Sequence, residues 1–149
     1  MTQRHPILND RIMMITTVTI DRAPFFANPL YAKKAVECLY GTKKLHPFFL
    51  YAFVIMPDHC HILLKVHSPN TVSHLMNSYK SYLRFDLGIP QLWQRRYHIR
   101  IAHDSYRLRN YIHQNPVKAG LCTIPKQYSW SSANEQWPVS PLGYNMNKH

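Results

Sequence analysis

Carboxylates are scarce in this chain. Seven Asp and Glu stand against eighteen Lys and Arg, a net charge of +11, with ten His besides. Such an excess argues against a cationic substrate and predicts a polyanionic partner, nucleic acid or an anionic membrane surface. Cysteine is sparse too: Cys38, Cys60 and Cys122 are odd in number, scattered and without Cys-x-x-Cys spacing. That pattern argues against a disulfide scaffold or a thiolate zinc site and fits a reducing cytosol. Long apolar runs are missing. The longest, Pro47 to Pro57, falls well short of the roughly 18 to 20 residues a spanning helix needs. The N-terminus reaches polar Asn9, Asp10 and Arg11 without a signal-type apolar stretch. The expectation is a cytoplasmic protein with no membrane partner. Only four glycines are present, and the Lys/Arg-Gly-Phe/Tyr pattern of RNA-recognition sheets is absent.

What is present is globular. The 149 residues are 46% hydrophobic and 13% aromatic, enough for one core with a radius of gyration of about 15 Å and too few for two. A single domain over residues 1–149 is expected. Met13 to Ile20 is β-branched and strand-like. Pro29 to Tyr40 reads as a helix, capped by Asn28 and closed by Gly41. Phe48 to Met56 is apolar on both alternating faces and reads as a central strand covered on both sides. After the tight Pro57-Asp58 connection, His59 to Val66 reads as an antiparallel strand. Thr71 to Leu87 is a second helix closed by Gly88, and Leu92 to Ile101 a basic strand. Ser105 to about Leu121 is a third helix, capped by Asp104 or Ser105. Cys122 to His149 reads as an irregular tail packed by its tryptophans, with Asn145 to His149 frayed. The order β-α-β-β-α-β plus a helix is that of an α+β, ferredoxin-like split βαβ fold: a four-stranded antiparallel sheet with two helices on one face. That architecture hosts many unrelated functions.

Two constellations carry chemistry. In Pro57-Asp58-His59-Cys60-His61-Ile62-Leu63-Leu64, strand alternation projects His59 and His61 from one face, about 6 to 7 Å apart, close enough to converge on one divalent ion. Cys60, Ile62, Leu64 and Val66 point the other way, toward the helices. The same spacing also arises by chance on a half-exposed strand of a His-rich chain. In the third helix, Tyr111 and Asn115 stand one turn apart beside a packing stripe of Leu108, Ile112 and Ala119. Tyr111 offers a phenolic nucleophile and Asn115 an amide oxygen for a hard cation; either is equally a core or turn residue. Pro116 disfavours helical geometry at Asn115, so a bend or restart is expected there. Arg107, one turn before Tyr111, and Lys118 just beyond it are placed to bind phosphate.

Together these segments resemble a known family. PDHCHILLKV, with His59 and His61, is similar to the HUH motif of single-strand DNA nucleases. YIHQNPVKAGL resembles the tyrosine helix of single-tyrosine insertion-sequence transposases, and nearest to the whole are the REP-associated tyrosine transposases. WQRRY at Trp93 to Tyr97 and YSWSSA at Tyr128 to Ala133 match as well, so the resemblance spans nearly the whole chain. It implies that His59, His61 and Asn115 hold a divalent metal and that Tyr111 is the nucleophile. Cys60 takes the hydrophobic middle place of the HUH motif. The stretch from Trp93 to Tyr111 is a few residues shorter than usual and lacks the customary acidic residues, with His98, Arg100 and His103 there instead.

The implied chemistry is metal-dependent nicking and strand transfer on single-stranded or hairpin DNA through a 5′-phosphotyrosine, serving DNA transposition or mobilisation of a REP element. Two imidazoles and an amide oxygen suit Mg²⁺ or Mn²⁺. Asp58 either orients one imidazole or caps the turn, and Tyr111 would be helped by the metal, His113 or Lys118. Lys80, Arg84, Arg95, Arg96, Arg107 and Lys118 are candidate phosphate contacts, and Trp93, Tyr97 and Tyr79 candidate stacking faces. The protein would be nucleoid-associated when bound to DNA. A monomer with the tyrosine acting in cis and a homodimer with it in trans both fit. The competing readings are a non-catalytic ferredoxin-like nucleic-acid binder and a phosphodiesterase that uses activated water.

Overall fold

Periodicity in the chain translates directly into element order. The computed structural model describes residues 8–143, in which β1 (Met13–Thr19), α1 (Pro29–Leu45), β2 (Phe49–Met56), β3 (His59–Lys65), α2 (Val72–Leu87), β4 (Trp93–Ile101) and α3 (Ser105–Lys118) follow one another. The strands form one antiparallel sheet in the order β2-β3-β1-β4. This is the expected α+β, split βαβ arrangement. The expected fraying of Asn145 to His149 lies outside the described residues.

Alternation along the strands divides the apolar side chains between two faces. Met13 and Ile15 of β1 and Cys60, Ile62 and Leu64 of β3 pack under α1 and α2, against Ala35, Leu39, Leu75 and Tyr79. Their neighbours Met14 and Leu63 face the opposite way and pack with Val54 and Met56 under Leu108 and Ile112 of α3. The third helix therefore covers the face that carries the histidines.

Three local expectations give way to tertiary packing. The first helix does not stop at Gly41 but runs to Leu45. Buried Thr42 continues its core stripe and returns a hydroxyl bond to the Cys38 carbonyl at 2.9 Å, which outweighs the cost of a mid-helix glycine, about 1 kcal/mol. β2 is an edge strand, not a central one. Both its faces are covered, as its composition requires, while its open edge is closed by the C-terminal segment. There Ile55 N–H donates to the Trp130 carbonyl at 2.8 Å, and the Tyr128 hydroxyl to the Ile55 carbonyl at 2.7 Å. Finally, α3 continues through Pro116, whose ring is buried. Its end is tied by Gly120, at φ 77°, whose N–H donates to the Val117 carbonyl at 3.0 Å, and by Leu121 N–H donating to the Pro116 carbonyl at 2.9 Å, the paired bonds of a Schellman closure. The buried stripe is Ser105, Leu108, Ile112 and Pro116; Ala119 lies outside it, exposed.

Candidate active site

The β2–β3 turn is fixed from both sides. Phe26 N–H donates to the Pro57 carbonyl at 3.0 Å, and Thr19 N–H donates to the Asp58 carbonyl at 3.0 Å. With the turn pinned to the end of β1, the next residue, His59, has little freedom. Its Nδ1 lies 2.6 Å from Asp58 Oδ1, while Arg22 Nε donates to the other carboxylate oxygen at 3.2 Å. Arg22 reaches that position from a left-handed backbone, φ 51° following φ 52° at Asp21, a costly conformation for residues with a Cβ. Burial alone would raise the Asp58 carboxyl, but the bond and charge of His59 and the guanidinium of Arg22 outweigh it, leaving it below its ordinary value. Asp58 thus orients an imidazole; of the two roles open in the sequence, this is the one its side chain performs.

His61, two residues on, lies on the same face and is 6% exposed. Register sets Thr16 of β1 directly opposite it, and Thr16 Oγ1 lies 2.7 Å from His61 Nδ1. Burial and then the neighbouring His59 push the His61 imidazole down to about 4, so the ring is neutral at pH 7, the form a metal ligand must take. The two rings meet edge to face with centroids 4.8 Å apart. Each has its Nδ1 engaged by an outer partner, which leaves the Nε2 atoms for the site.

The third helix supplies the rest. Helical spacing puts Tyr111 and Asn115 on one face. Asn115 Oδ1 lies 3.2 Å from His59 Nε2, and the Tyr111 ring stands edge-on to His61 with centroids 5.5 Å apart. With Nδ1–H donating to Asp58, the His59 Nε2 lone pair faces the amide oxygen. Two acceptors at that separation are satisfied by a proton on the ring or by a cation between them. Ligands bound to one octahedral Mg²⁺ at about 2.1 Å stand roughly 3 Å apart, close to the separation of His59 Nε2 and Asn115 Oδ1. Among the described residues no cluster of three or more His, Cys, Asp or Glu that could hold a metal ion forms; the donors gathered here are two imidazoles and one amide. Cys60 takes no part, buried on the opposite face as its alternation required.

Tyr111 is 37% exposed, open enough for a substrate to reach it. Lys118 Nζ lies 5.9 Å from the centre of its ring. His113, although adjacent to the helix face that bears Tyr111, is turned toward β2, with Nε2 2.8 Å from Ser132 Oγ. Arg107 is exposed on the first turn of α3, its N–H donating to the Asp104 cap at 3.2 Å. Arg100 and His98 of β4 pair with Met14 and Thr16 and so share the histidine face.

The remaining predicted contacts gather elsewhere. Lys80 and Arg84 of α2 line a cleft with Trp93, Arg95 and Arg96 of β4, on the side of the sheet that α1 and α2 cover. Trp93 offers no open ring: it is 8% exposed and packs against Phe26 and Tyr79. Tyr79 and Tyr97 are buried likewise, so none of the three expected stacking faces is available.

With one helix and one strand meeting in this way, kinship becomes testable. A family model described as IS200-like transposase matches residues 9–115, which takes in both histidines, Tyr111 and Asn115. The chain belongs to that family. A REP-associated tyrosine transposase of Haemophilus influenzae is 27% identical over 110 residues, 61% of this chain and 62% of that protein, so the chain spans about three-fifths of that relative's length. Among solved structures, a REP-associated tyrosine transposase bound to a REP hairpin superposes with a TM-score of 0.76 at 20% identity, covering 96% of this chain and 92% of that one. A transposase from Deinococcus radiodurans superposes with a TM-score of 0.54 at 15% identity, covering 76% of this chain and 97% of that one. These likenesses bear out the fold. No helix among the described residues is long and apolar enough to cross a membrane.

Sequence reasoning missed Thr16, Arg22 and Ser132. Thr16 was visible only as one polar residue in a β-branched strand; its role depends on a register that no local pattern encodes.

Proposed function

We propose that this IS200-like transposase nicks single-stranded or hairpin DNA and transfers the strand through a covalent 5′-phosphotyrosine at Tyr111, the outcome being DNA transposition or mobilisation of a REP-type element. One observation carries the reading: a single helix face brings Tyr111 against His61 and Asn115 against His59 within one chain. A hydrolase using water has no need of a phenol at that place, and a simple binder has no need of the histidines.

In the reaction, Tyr111 Oη attacks phosphorus in line. The Oη–P bond forms as the P–O3′ bond breaks; the phenol proton leaves to solvent, and the departing 3′-oxygen takes one up. Attack by a 3′-hydroxyl reverses the step, so the phosphodiester energy is conserved. His59 Nε2, His61 Nε2 and Asn115 Oδ1 would hold Mg²⁺ or Mn²⁺, which polarises a non-bridging phosphate oxygen when bound. Asp58 and Thr16 keep the two imidazoles turned toward it. Lys118, above the Tyr111 ring, is placed to offset charge developing on the phenol oxygen or to take a phosphate, and Arg107 a phosphate one turn earlier. Because His113 is committed to Ser132, Lys118 is the base-side neighbour this reading uses. Lys80, Arg84, Trp93, Arg95 and Arg96 line the second DNA surface. The chain's own Tyr111 meets its own histidines, so the reading needs no second copy.

A fluorescent hairpin oligonucleotide with Mg²⁺ or Mn²⁺, resolved on denaturing gels, tests this. The wild type is expected to give a denaturant-resistant protein–DNA band that requires metal and vanishes in Tyr111→Phe. Cutting by both proteins with no such band would establish water as the nucleophile instead.

A further inference from the structure

Alternation along β4 sends Tyr97, Ile99 and Ile101 to the side that α1 and α2 cover, where Tyr97 is buried and the two isoleucines pack against the same cluster. His98 and Arg100 therefore face the other way, and both are exposed. Register places His98 more closely. Thr16 of β1 stands opposite His61 on one side and opposite His98 on the other, so His61, Thr16 and His98 form one row across three strands. Two strand spacings separate the imidazole-bearing residues, about 10 Å between backbones, which is room for a phosphodiester between the rings. Thr16, the short side chain in the middle, is turned to His61, with Oγ1 2.7 Å from Nδ1.

The third helix covers only part of this face. It packs over β2 and β3 and brings the Tyr111 ring to His61 from that side. In-line displacement puts the leaving oxygen on the far side of phosphorus from the nucleophile. With Tyr111 entering from the β2–β3 half, the departing 3′-oxygen emerges over the β1–β4 half, which is the half that carries His98. An alkoxide is a poor leaving group, so a proton delivered there lowers the barrier. Neighbouring imidazoles are engaged elsewhere: His59 with Asp58, His61 with Thr16 and His113 with Ser132. Imidazole is also the side chain suited to giving and taking a proton near neutral pH.

We infer that His98 is a catalytic residue, the general acid that protonates the departing 3′-oxygen. The inference rests on the phosphotyrosine reading above and names the source of the proton in that step. As the Tyr111 Oη–P bond forms and the P–O3′ bond breaks, the His98 imidazolium passes a ring proton to O3′, leaving a neutral imidazole and a 3′-hydroxyl. In the reverse direction the neutral imidazole takes the proton of the attacking 3′-hydroxyl as the O3′–P bond forms, and the released tyrosine oxygen is protonated from solvent. One side chain on the open half of the sheet thus serves both cleavage and rejoining.

The test compares two hairpin oligonucleotides that differ in a single atom, oxygen or sulfur at the bridging 3′ position of the linkage that wild type cuts. A thiolate departs without a proton, so the sulfur substrate has no use for a general acid. His98→Gln, at an exposed site, is expected to form the covalent band on the oxygen substrate about 100-fold more slowly than wild type, and on the sulfur substrate within about threefold of it. Fluorescence anisotropy without metal should show both proteins binding the oxygen substrate equally well. His98→Gln cutting the oxygen substrate at the wild-type rate overturns the assignment. So does an equal loss on both substrates, or a loss of binding to match, either of which would make His98 a DNA contact; in all three cases the Tyr111 chemistry stands. A wild type that forms no band with either substrate overturns both.

Discussion

Ser132→Ala removes one hydroxyl at which three parts of the molecule meet. Its oxygen accepts from Phe53 N–H at 3.0 Å, and lies 3.3 Å from the Phe53 carbonyl oxygen and 2.8 Å from His113 Nε2. A hydroxyl has one proton to give, so it serves either that carbonyl or His113 Nε2, and the ring tautomer follows the choice. Burial, then the charge of Arg109, hold that ring down to about 4, so it is neutral at pH 7. Alanine leaves the buried Phe53 N–H and the His113 ring nitrogen without their partner. At about 1–3 kcal/mol for each unsatisfied group, and with His113 only partly buried, the expected loss is about 2–4 kcal/mol. With a urea m-value near 2 kcal/mol/M, the midpoint falls by about 1–2 M at unchanged m. Fluorescence of Trp130 and Trp137, which flank the site, reports the transition. His113→Leu in a double-mutant cycle should cost less in the alanine background than alone, by more than about 0.5 kcal/mol. Additive effects, or a loss for Ser132→Ala below about 0.5 kcal/mol, would refute the claim that this hydroxyl joins helix, edge strand and tail.

Other outcomes follow from the same structure. Ile112→Ala opens a cavity beneath α3, where Ile112 is fully buried, and should cost about 2–5 kcal/mol by chemical denaturation; a value near zero would mean α3 is not held by that side chain. Asp58→Ala frees the His59 imidazole and should weaken Mn²⁺ binding, read by calorimetry, about 10- to 100-fold; unchanged affinity would remove Asp58 from the site. Burial raises the Tyr128 phenol above its ordinary value of 10, so its contribution to stability is complete below pH 10 and is lost as pH rises beyond it. Tyr128→Phe should lower stability by about 1 kcal/mol at neutral pH and flatten that alkaline limb; an unchanged limb argues that this phenol ionises freely in the fold.

Element order was legible because hydrophobic period and breakers agree along most of the chain. His59, His61, Tyr111 and Asn115 were legible for the same reason, since periods of two and 3.6 say which side chains share a face. Edges were not. The two apolar faces of β2 announce burial above and below, and nothing in its own residues says that Tyr128 to Ser132 would close its side. Pro116 and Gly41 mislead in the opposite direction: each is a local breaker overruled by a continuing buried stripe. Trp93 shows a third limit. An aromatic in a basic strand reads as a stacking face until tertiary packing turns it inward, whereas Phe85, one apolar residue of a helix, gives no sign in sequence that it faces water.

The sheet is clad unequally, and this matters for how the site behaves in time. Among the described residues twenty-four buried side chains form the cluster under α1 and α2, and nine form the one under α3. Opening free energy follows buried apolar area, so α3 and the segment after it form the less protected unit, able to open while the rest of the domain stays folded. His59 and His61 are expected in the slow-exchanging half and Tyr111 and Asn115 in the fast-exchanging half. Amide protons of α3 should therefore exchange well before those of β3, and Tyr111, the attacking group of the proposed reaction, would leave and rejoin the histidines without the chain unfolding.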